Sequence, residues 1–213
     1  MNESEQKSGH NRMHRRRRVL IRRDDHIGEP IGIAFLGLAD DQRDLIMRRL
    51  AEYLGPQLTI LKVEISSNQV EVEIEWRGWP EEAERLAKAA QDLYQKGARR
   101  NAEAMFREAL RMDPVNARAL YAVGRALADT AQHAQALPIF KLAREVGGDS
   151  MELLIAIAQS SLKLGREAAA ISFFERVLEI DSKNFLARRA LGALGRKPAT
   201  PESKAGAVRT GKK

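Results

Sequence analysis

The chain has 213 residues, of which 44% are apolar, 31% are charged and 5% are aromatic. This composition is typical of a globular protein whose core is built from Leu, Ala, Ile and Val, a mixture that favours packed helices. The absence of cysteine excludes disulfides, thiolate metal sites and a cysteine nucleophile. No apolar stretch approaches the roughly 20 residues of a membrane span and no secretory leader is visible, so we expect a soluble, cytoplasmic protein.

The net charge of +7 is concentrated at the two ends of the chain. Residues 1–23 hold eight Lys or Arg and two Glu, and residues 197–213 hold five Lys or Arg and one Glu. Residues 24–196 hold 23 basic and 26 acidic side chains. A folded nucleic-acid-binding domain usually carries its basic surface on the body. Nucleic-acid binding is therefore disfavoured, and binding through the tails is kept only as an alternative.

The composition divides the chain into four predicted regions. Residues 1–17 are polar and basic without an apolar period, which predicts a disordered tail. Residues 18–80 predict a small α+β module, and residues 81–196 are strongly helical in composition. Residues 197–213, with their Pro, Lys, Gly and Ala, predict a flexible basic tail.

Three elements are predicted within the α+β module. The apolar sequence 31–36 (Ile-Gly-Ile-Ala-Phe-Leu) indicates a buried strand, and the two Asp at 40–41 can cap a helix that runs through Leu54. Residues 58–76 predict a hairpin, because in their second half Val, Ile and Trp alternate strictly with Glu. Such alternation gives a strand one buried face and one wet face.

The helical region contains an internal repeat of 34 residues. Three columns of this period are Ala102, Ala136 and Ala170; Phe106, Phe140 and Phe174; and Leu86, Leu120 and Leu154. A small residue lets two antiparallel helices approach closely, and a Phe four residues later lies on the same helix face. Glycines at 97 and 165 fall where the turn within a helix pair is expected.

These columns resemble the tetratricopeptide repeat, a helix pair of 34 residues. The resemblance covers residues 83–194 and gives three repeats, 83–116, 117–150 and 151–184, followed by a closing helix at 185–194 with an Arg-bearing polar face. The closing proline of the family pattern is present only in the first repeat. The resemblance implies an all-α solenoid whose concave surface is lined by the first helix of each pair.

The same resemblance implies a groove that binds a protein or peptide. Positions of the first helices that line this groove in the family map to eight residues: Gln91, Tyr94, Gln95, Arg118, Tyr121, Arg125, Gln159 and Lys163. Tyr and Arg are frequent in binding hot spots, and together they suit a peptide with carboxylates and apolar anchors. The alternative for Tyr94 and Tyr121 is that they only complete the packing between repeats.

Residues 18–52 resemble the end of a PilZ domain, through the runs at 19–21 and 32–35 and the helix that follows them. Many PilZ domains bind cyclic di-GMP with an Arg-x-x-x-Arg motif and an Asp/Asn-x-Ser-x-x-Gly motif. Arg18 and Arg22 match the first motif, whereas the second is absent from the sequence together with the front half of the barrel. The resemblance implies a truncated or degenerate relative, and cyclic di-GMP binding at these arginines is an alternative function.

No catalytic constellation accompanies the repeats. The sequence lacks His-Glu-x-x-His, Gly-x-Ser-x-Gly and a phosphate-binding loop, and its four histidines lack the spacing of metal ligands. We therefore expect neither cofactor nor metal. The sequence predicts a non-enzymatic adaptor that holds a protein partner in the solenoid groove, while its α+β module serves docking, dimerisation or regulation.

Overall fold

A computed structural model describes residues 13–25 and 43–196 of the chain. Over these ranges, three strands and one helix precede an array of seven helices. The elements are β1 (Met13–Arg22), a 3-10 turn (Arg23–Asp25), α1 (Arg43–Leu54), β2 (Thr59–Ile65), β3 (Gln69–Gly78), α2 (Pro80–Gln95), α3 (Arg99–Met112), α4 (Ala117–Asp129), α5 (His133–Gly147), α6 (Met151–Lys163), α7 (Glu167–Ile180) and α8 (Phe185–Ala193). The predicted architecture of an α+β module followed by a helical solenoid is confirmed.

The strands form one antiparallel sheet in the order β1-β3-β2. The apolar side chains of β3, from Val70 to Trp76, are buried on the inner face, where Val19 and Ile21 of β1 join them. On the outer face, Arg16 pairs with Glu75 at 3.0 Å and Arg18 pairs with Glu71 at 3.2 Å. The predicted hairpin is therefore confirmed, with its alternation dividing the sheet into a buried face and a wet face.

The prediction of a disordered tail over residues 1–17 is wrong for its last part. Residues 13–17 belong to β1, which pairs with β3 in register from Met13 opposite Gly78 to Arg22 opposite Gln69. The Arg-rich sequence has no apolar period of its own, but β3 supplies both a backbone partner and carboxylates that neutralise the arginines. Residues 1–12 lie outside the described residues, as do the predicted strand 31–36 and the predicted helix cap at 40–41.

The helices α2/α3, α4/α5 and α6/α7 form three antiparallel pairs, and α8 closes the array. The small residues Ala102, Ala136 and Ala170 are fully buried within these pairs. The predicted turn glycines, Gly97 and Gly165, have φ of +85° and +71°, a region that favours glycine. The helices α4, α6 and α8 each begin at a residue whose side chain caps the helix. These capping residues, Asn116, Ser150 and Asn184, also follow the 34-residue period.

The α+β module packs against the side of the array formed by the second helices. One continuous cluster of buried side chains joins Leu50 of α1 and Val72 of β3 to Leu142 and Val146 of α5. At the end of β3 the backbone passes close to the end of α3, because a Cβ at Gly78 would lie 2.2 Å from the carbonyl oxygen of Met112. The sheet is thus fixed to the array, and the first helices are left open on the opposite side.

Candidate functional site

The first helices α2, α4 and α6 lie next to one another and form a common face of the array. On this face a groove of about 570 Å³ lies between α4, α6 and α8. Its lining residues are Arg125, Ala128, Asp129, His133, Phe140, Ile155, Ala156, Gln159, Ser160, Leu162, Lys163 and Leu186. The groove spans repeats 2 and 3 and the closing helix, so no single repeat forms it.

The floor of the groove is apolar. Phe140 of α5 is fully buried at its base, and the half-buried Ile155 and Leu162 of α6 flank it. Leu186 of α8 extends this floor and keeps 40% of its surface exposed. An apolar side chain of a ligand would remove this surface from water at about 25 cal/mol for each Å².

Charged and polar side chains surround this floor. Arg125 and Gln159 occupy the same position in successive first helices, and Asp129 and Lys163 share the next position four residues later. Arg125 donates a hydrogen bond of 3.2 Å to the hydroxyl of Tyr121. Although burial opposes the charge, this bond and the nearby Asp129 raise the pKa of Arg125 above its ordinary value. Arg125 and Lys163 therefore present cations over an apolar floor.

Two segments of the chain match family models of the tetratricopeptide repeat, residues 87–150 and residues 152–184. Together with the three helix pairs and their buried alanines, these matches settle the fold. The helical array is a tetratricopeptide-repeat solenoid. The matches fall on the array, and they give no support to a PilZ domain at residues 18–52.

No curated protein sequence matches the chain. Among solved structures, the array is similar to YrrB, a TPR protein with an unusual peptide-binding site, at 22% identity and a TM-score of 0.47 over 52% of this chain and 59% of YrrB. The first TPR domain of Spaghetti (RPAP3), bound to the HSP90 peptide SRMEEVD, is 21% identical with a TM-score of 0.49 over 55% of this chain and 95% of that one.

The type III secretion chaperone SycD of Yersinia enterocolitica, in complex with a peptide of the translocator YopD, is also similar. It is 20% identical with a TM-score of 0.44 over 53% of this chain and 88% of SycD. The chain spans about six-tenths of the length of YrrB and most of the other two.

Three of the eight predicted groove residues line the groove, namely Arg125, Gln159 and Lys163. Tyr121 stands behind them, where its ring packs on Phe140 with centroids 6.0 Å apart. Both rings belong to the second repeat, so this contact lies within one repeat and not between repeats, and the hydroxyl of Tyr121 accepts the hydrogen bond of Arg125.

The other predicted residues lie towards repeat 1. Tyr94 donates a hydrogen bond of 3.3 Å to Asp129, which ties α2 to α4, while Gln91 is half-buried and Gln95 is exposed on the same helix. Arg118 pairs with Glu84 at 3.1 Å across the first and second repeats. The structure thus places these four residues outside the lining of the groove between repeats 2 and 3.

The contribution of the closing helix to the groove was not predicted from the sequence. The sequence pattern predicted a polar cap at α8 because of Arg188 and Arg189, which are exposed. Leu186, however, falls in the 34-residue column of Glu152 and Arg118, a column of first-helix positions. The 34-residue spacing therefore indicated that Leu186 occupies a first-helix position, which makes α8 the first helix of an incomplete fourth repeat.

The two arginines of the PilZ resemblance lie on the outer face of β1. Arg18 is paired with Glu71 and lines a cavity of about 50 Å³ together with Lys62, Glu64 and Glu73. Three carboxylates around two cations do not favour an anion, and the volume is small for a dinucleotide. Arg22 is exposed at the end of the strand.

Neither a metal-binding cluster nor a membrane-spanning helix is found in the part of the chain that the structure describes. Within residues 13–25 and 43–196, no three His, Asp or Glu side chains come together to hold a metal ion. Over the same ranges, no helix combines the length and hydrophobicity needed to cross a lipid bilayer.

Proposed function

We propose that this protein is a non-enzymatic adaptor that holds an extended acidic segment of a partner protein in the groove between α4, α6 and α8. The observation that carries the proposal is the combination of an apolar floor with Arg125 and Lys163 at the rim. Apolar side chains of the segment would fill the floor, and its carboxylates would accept hydrogen bonds from the two cations.

The surrounding charges favour this partner over a basic one. Asp129 also lines the groove, but its carboxylate accepts the hydrogen bond of Tyr94 and lies within the field of Arg125. Arg125 and Lys163 are exposed, so a carboxylate reaches them without being buried. Acidic and apolar residues in alternation, in an extended chain, match this surface.

Two alternative functions, nucleic-acid binding through the tails and cyclic di-GMP binding, remain predictions. Arg18 and Arg22, on which the second depends, lie on the sheet and not in the groove. The first depends on residues 1–17 and 197–213, of which residues 1–12 and 197–213 are outside the described part of the chain.

Fluorescence anisotropy with two labelled hexapeptides tests the proposal. One peptide has the sequence Ser-Asp-Leu-Glu-Leu-Asp, and the other carries Lys in place of each acidic residue. We expect the acidic peptide to bind and the basic one not to bind, with an affinity that falls as salt rises because exposed charges are screened. Arg125→Ala and Lys163→Ala are each expected to weaken binding about tenfold, which corresponds to about 1.4 kcal/mol and so to the low end of the contribution of a charged hydrogen bond, because both cations are exposed.

The matched control is Arg100→Ala, which removes an exposed arginine from α3, away from the groove. It is expected to bind the acidic peptide as the wild type does. Equal binding of the two peptides, or wild-type affinity in both groove variants, would contradict an acidic ligand in this groove.

A further inference from the structure

A buried charge cluster joins the α+β module to the side of the array opposite the groove. Asp25, at the end of the 3-10 turn after β1, is 5% exposed. Its carboxylate pairs with Arg144 of α5 and, at 3.1 Å, with Arg176 of α7, and its backbone carbonyl accepts a hydrogen bond from Lys141 of α5. One residue of the module thus meets three cations from two helices of the array.

The cations are placed as a built site and not as a solvated surface. Lys141 is 1% exposed and Arg144 is 5% exposed. The guanidinium groups of Arg144 and Arg176 both lie over the ring of Phe173, with their central carbons 5.5 and 5.7 Å from its centroid. Burying a charge is costly unless it is paired, so these side chains require carboxylate partners.

The array supplies part of that requirement itself. Asp149, in the turn between α5 and α6, pairs with Arg144 at 3.4 Å and with Arg176 at 2.7 Å. Asp25 and Asp149 therefore each pair with both Arg144 and Arg176, and Asp25 is the more deeply buried of the two. Although burial opposes its charge, the hydrogen bond to Asp25 raises the pKa of Arg144 above its ordinary value. Without Asp25, Arg144 and Arg176 would keep Asp149 as a partner but would lose the more deeply buried of these two carboxylates.

The cluster also spans two repeats. Arg144 lies in the second helix of repeat 2 and Arg176 in the second helix of repeat 3, while the groove lies between α4 and α6, the first helices of the same repeats. A side chain that bridges the second helices of two repeats fixes the distance between those helices. Because each repeat is a packed body, the angle between the two repeats then determines the separation of the groove walls on the opposite side of the array.

We propose that Asp25 is an intramolecular latch, which docks the α+β module on repeats 2 and 3 and holds the two repeats at the angle that sets the width of the groove. Release of Asp25 loosens β1 and its 3-10 turn from repeats 2 and 3 and allows the groove to change its width. The latch is a property of this chain alone and does not depend on which ligand the groove binds.

The first test is hydrogen exchange of the full chain, followed by mass spectrometry. In Asp25→Asn, which keeps the size of the side chain and removes its charge, exchange in β1 is expected to rise on the order of 100-fold, because removal of one partner leaves buried charges uncompensated. Arg176→Gln, which removes the cation that is 20% exposed, is expected to give a smaller rise in the same segment. The control is Asp44→Asn, an exposed carboxylate of α1, for which wild-type exchange is expected.

The second test measures the groove directly. Because the sequence contains no cysteine, spin labels on Gln95→Cys in α2 and Arg189→Cys in α8 report a single distance across the first helices by electron double resonance. With Asp25→Asn added, the distance distribution is expected to shift and broaden, whereas Asp44→Asn leaves it unchanged. If Asp25→Asn does not fold, Arg176→Gln serves in its place.

The two measurements decide the proposal without a ligand. Wild-type exchange in β1 in both Asp25→Asn and Arg176→Gln would overturn the latch. Increased exchange with an unchanged distance distribution would overturn the claim that the latch sets the groove. Failure of the peptide experiment would leave both of these outcomes readable, so the adaptor proposal and the latch proposal can fail separately.

Discussion

Gly124 of α4 lies against the floor of the groove, and the effect of adding one methyl group there follows from the structure. A Cβ at this position would lie 2.6 Å from Cε1, 2.7 Å from Cδ1 and 3.2 Å from Cζ of Phe140. Phe140 is fully buried, and its ring also packs on Tyr121. The ring is held between Gly124 and Tyr121 at the base of the groove, so Gly124→Ala must displace either Phe140 or the helix backbone.

Two opposing terms set the magnitude. Overpacking of a filled core costs about 1–3 kcal/mol. The replacement of glycine by alanine within a helix returns about 0.8–1.0 kcal/mol through the lower entropy of the unfolded backbone. We therefore expect Gly124→Ala to reduce the free energy of unfolding by about 0–2 kcal/mol, since the overpacking outweighs the gain in propensity.

Urea denaturation with a matched variant separates these terms. Gly192→Ala makes the same chemical change in α8, where a Cβ would meet nothing within 4 Å, so it retains only the favourable term. The two variants are expected to differ by about 1–3 kcal/mol in their free energies of unfolding. Should Gly124→Ala prove as stable as Gly192→Ala, the close contact between α4 and Phe140 is not present in the molecule.

Two other predictions concern the closing helix and a buried carboxyl group. Leu186→Ala is expected to weaken binding of the acidic peptide without lowering the melting temperature, because Leu186 lines the groove and is 40% exposed. The control is Phe185→Ala, at a site that is 76% exposed and outside the lining. Equal affinities of the two variants for the peptide would show that α8 does not belong to the binding site. Asp113 is 7% exposed, and burial raises its pKa above the ordinary value of 3.8 despite the backbone hydrogen bond from Val115. A folded-state pKa above the unfolded one means that stability is lost as pH rises from about 4 through the raised value. Asp113→Asn should remove this loss, and urea midpoints that fall equally with pH in the variant and the wild type would contradict it.

The helical array was accessible from sequence because its determinants are local and periodic. Ala102, Ala136 and Ala170 mark the closest approach within each pair, and a spacing of 34 residues is visible without any knowledge of tertiary contacts. The caps Asn116, Ser150 and Asn184 follow the same period and confirm it from a different interaction. The alternation in β3 is equally local, which is why its hairpin was predicted with its buried face.

The beginning of β1 and the composition of the groove were less accessible. The run of arginines before Val19 carries no apolar pattern, and its strand exists because β3 offers both a register and carboxylates. The groove residues Arg125 and Lys163 were found by their place in the repeat. The positions of Tyr94 and Tyr121 depend instead on the side chain that each one meets, which is Asp129 of the next repeat for Tyr94 and Phe140 of its own repeat for Tyr121. Such choices are made by packing and not by spacing.

The latch was the least accessible of these features from the sequence. Asp25 and Arg144 are 119 residues apart in sequence, and although Arg144 stands in a 34-residue column with Leu110 and Leu178, that column does not point to Asp25. The repeat pattern even hides the cluster, because a second helix of an array is expected to expose its charged side chains to water. Lys141 and Arg144 are instead buried, and Asp25 of the module meets both, with its carboxylate on Arg144 and its backbone carbonyl oxygen accepting a hydrogen bond from Lys141. The array in its described form is therefore shaped by the module that covers it, and removal of the module would change the electrostatics of repeats 2 and 3 along with their packing.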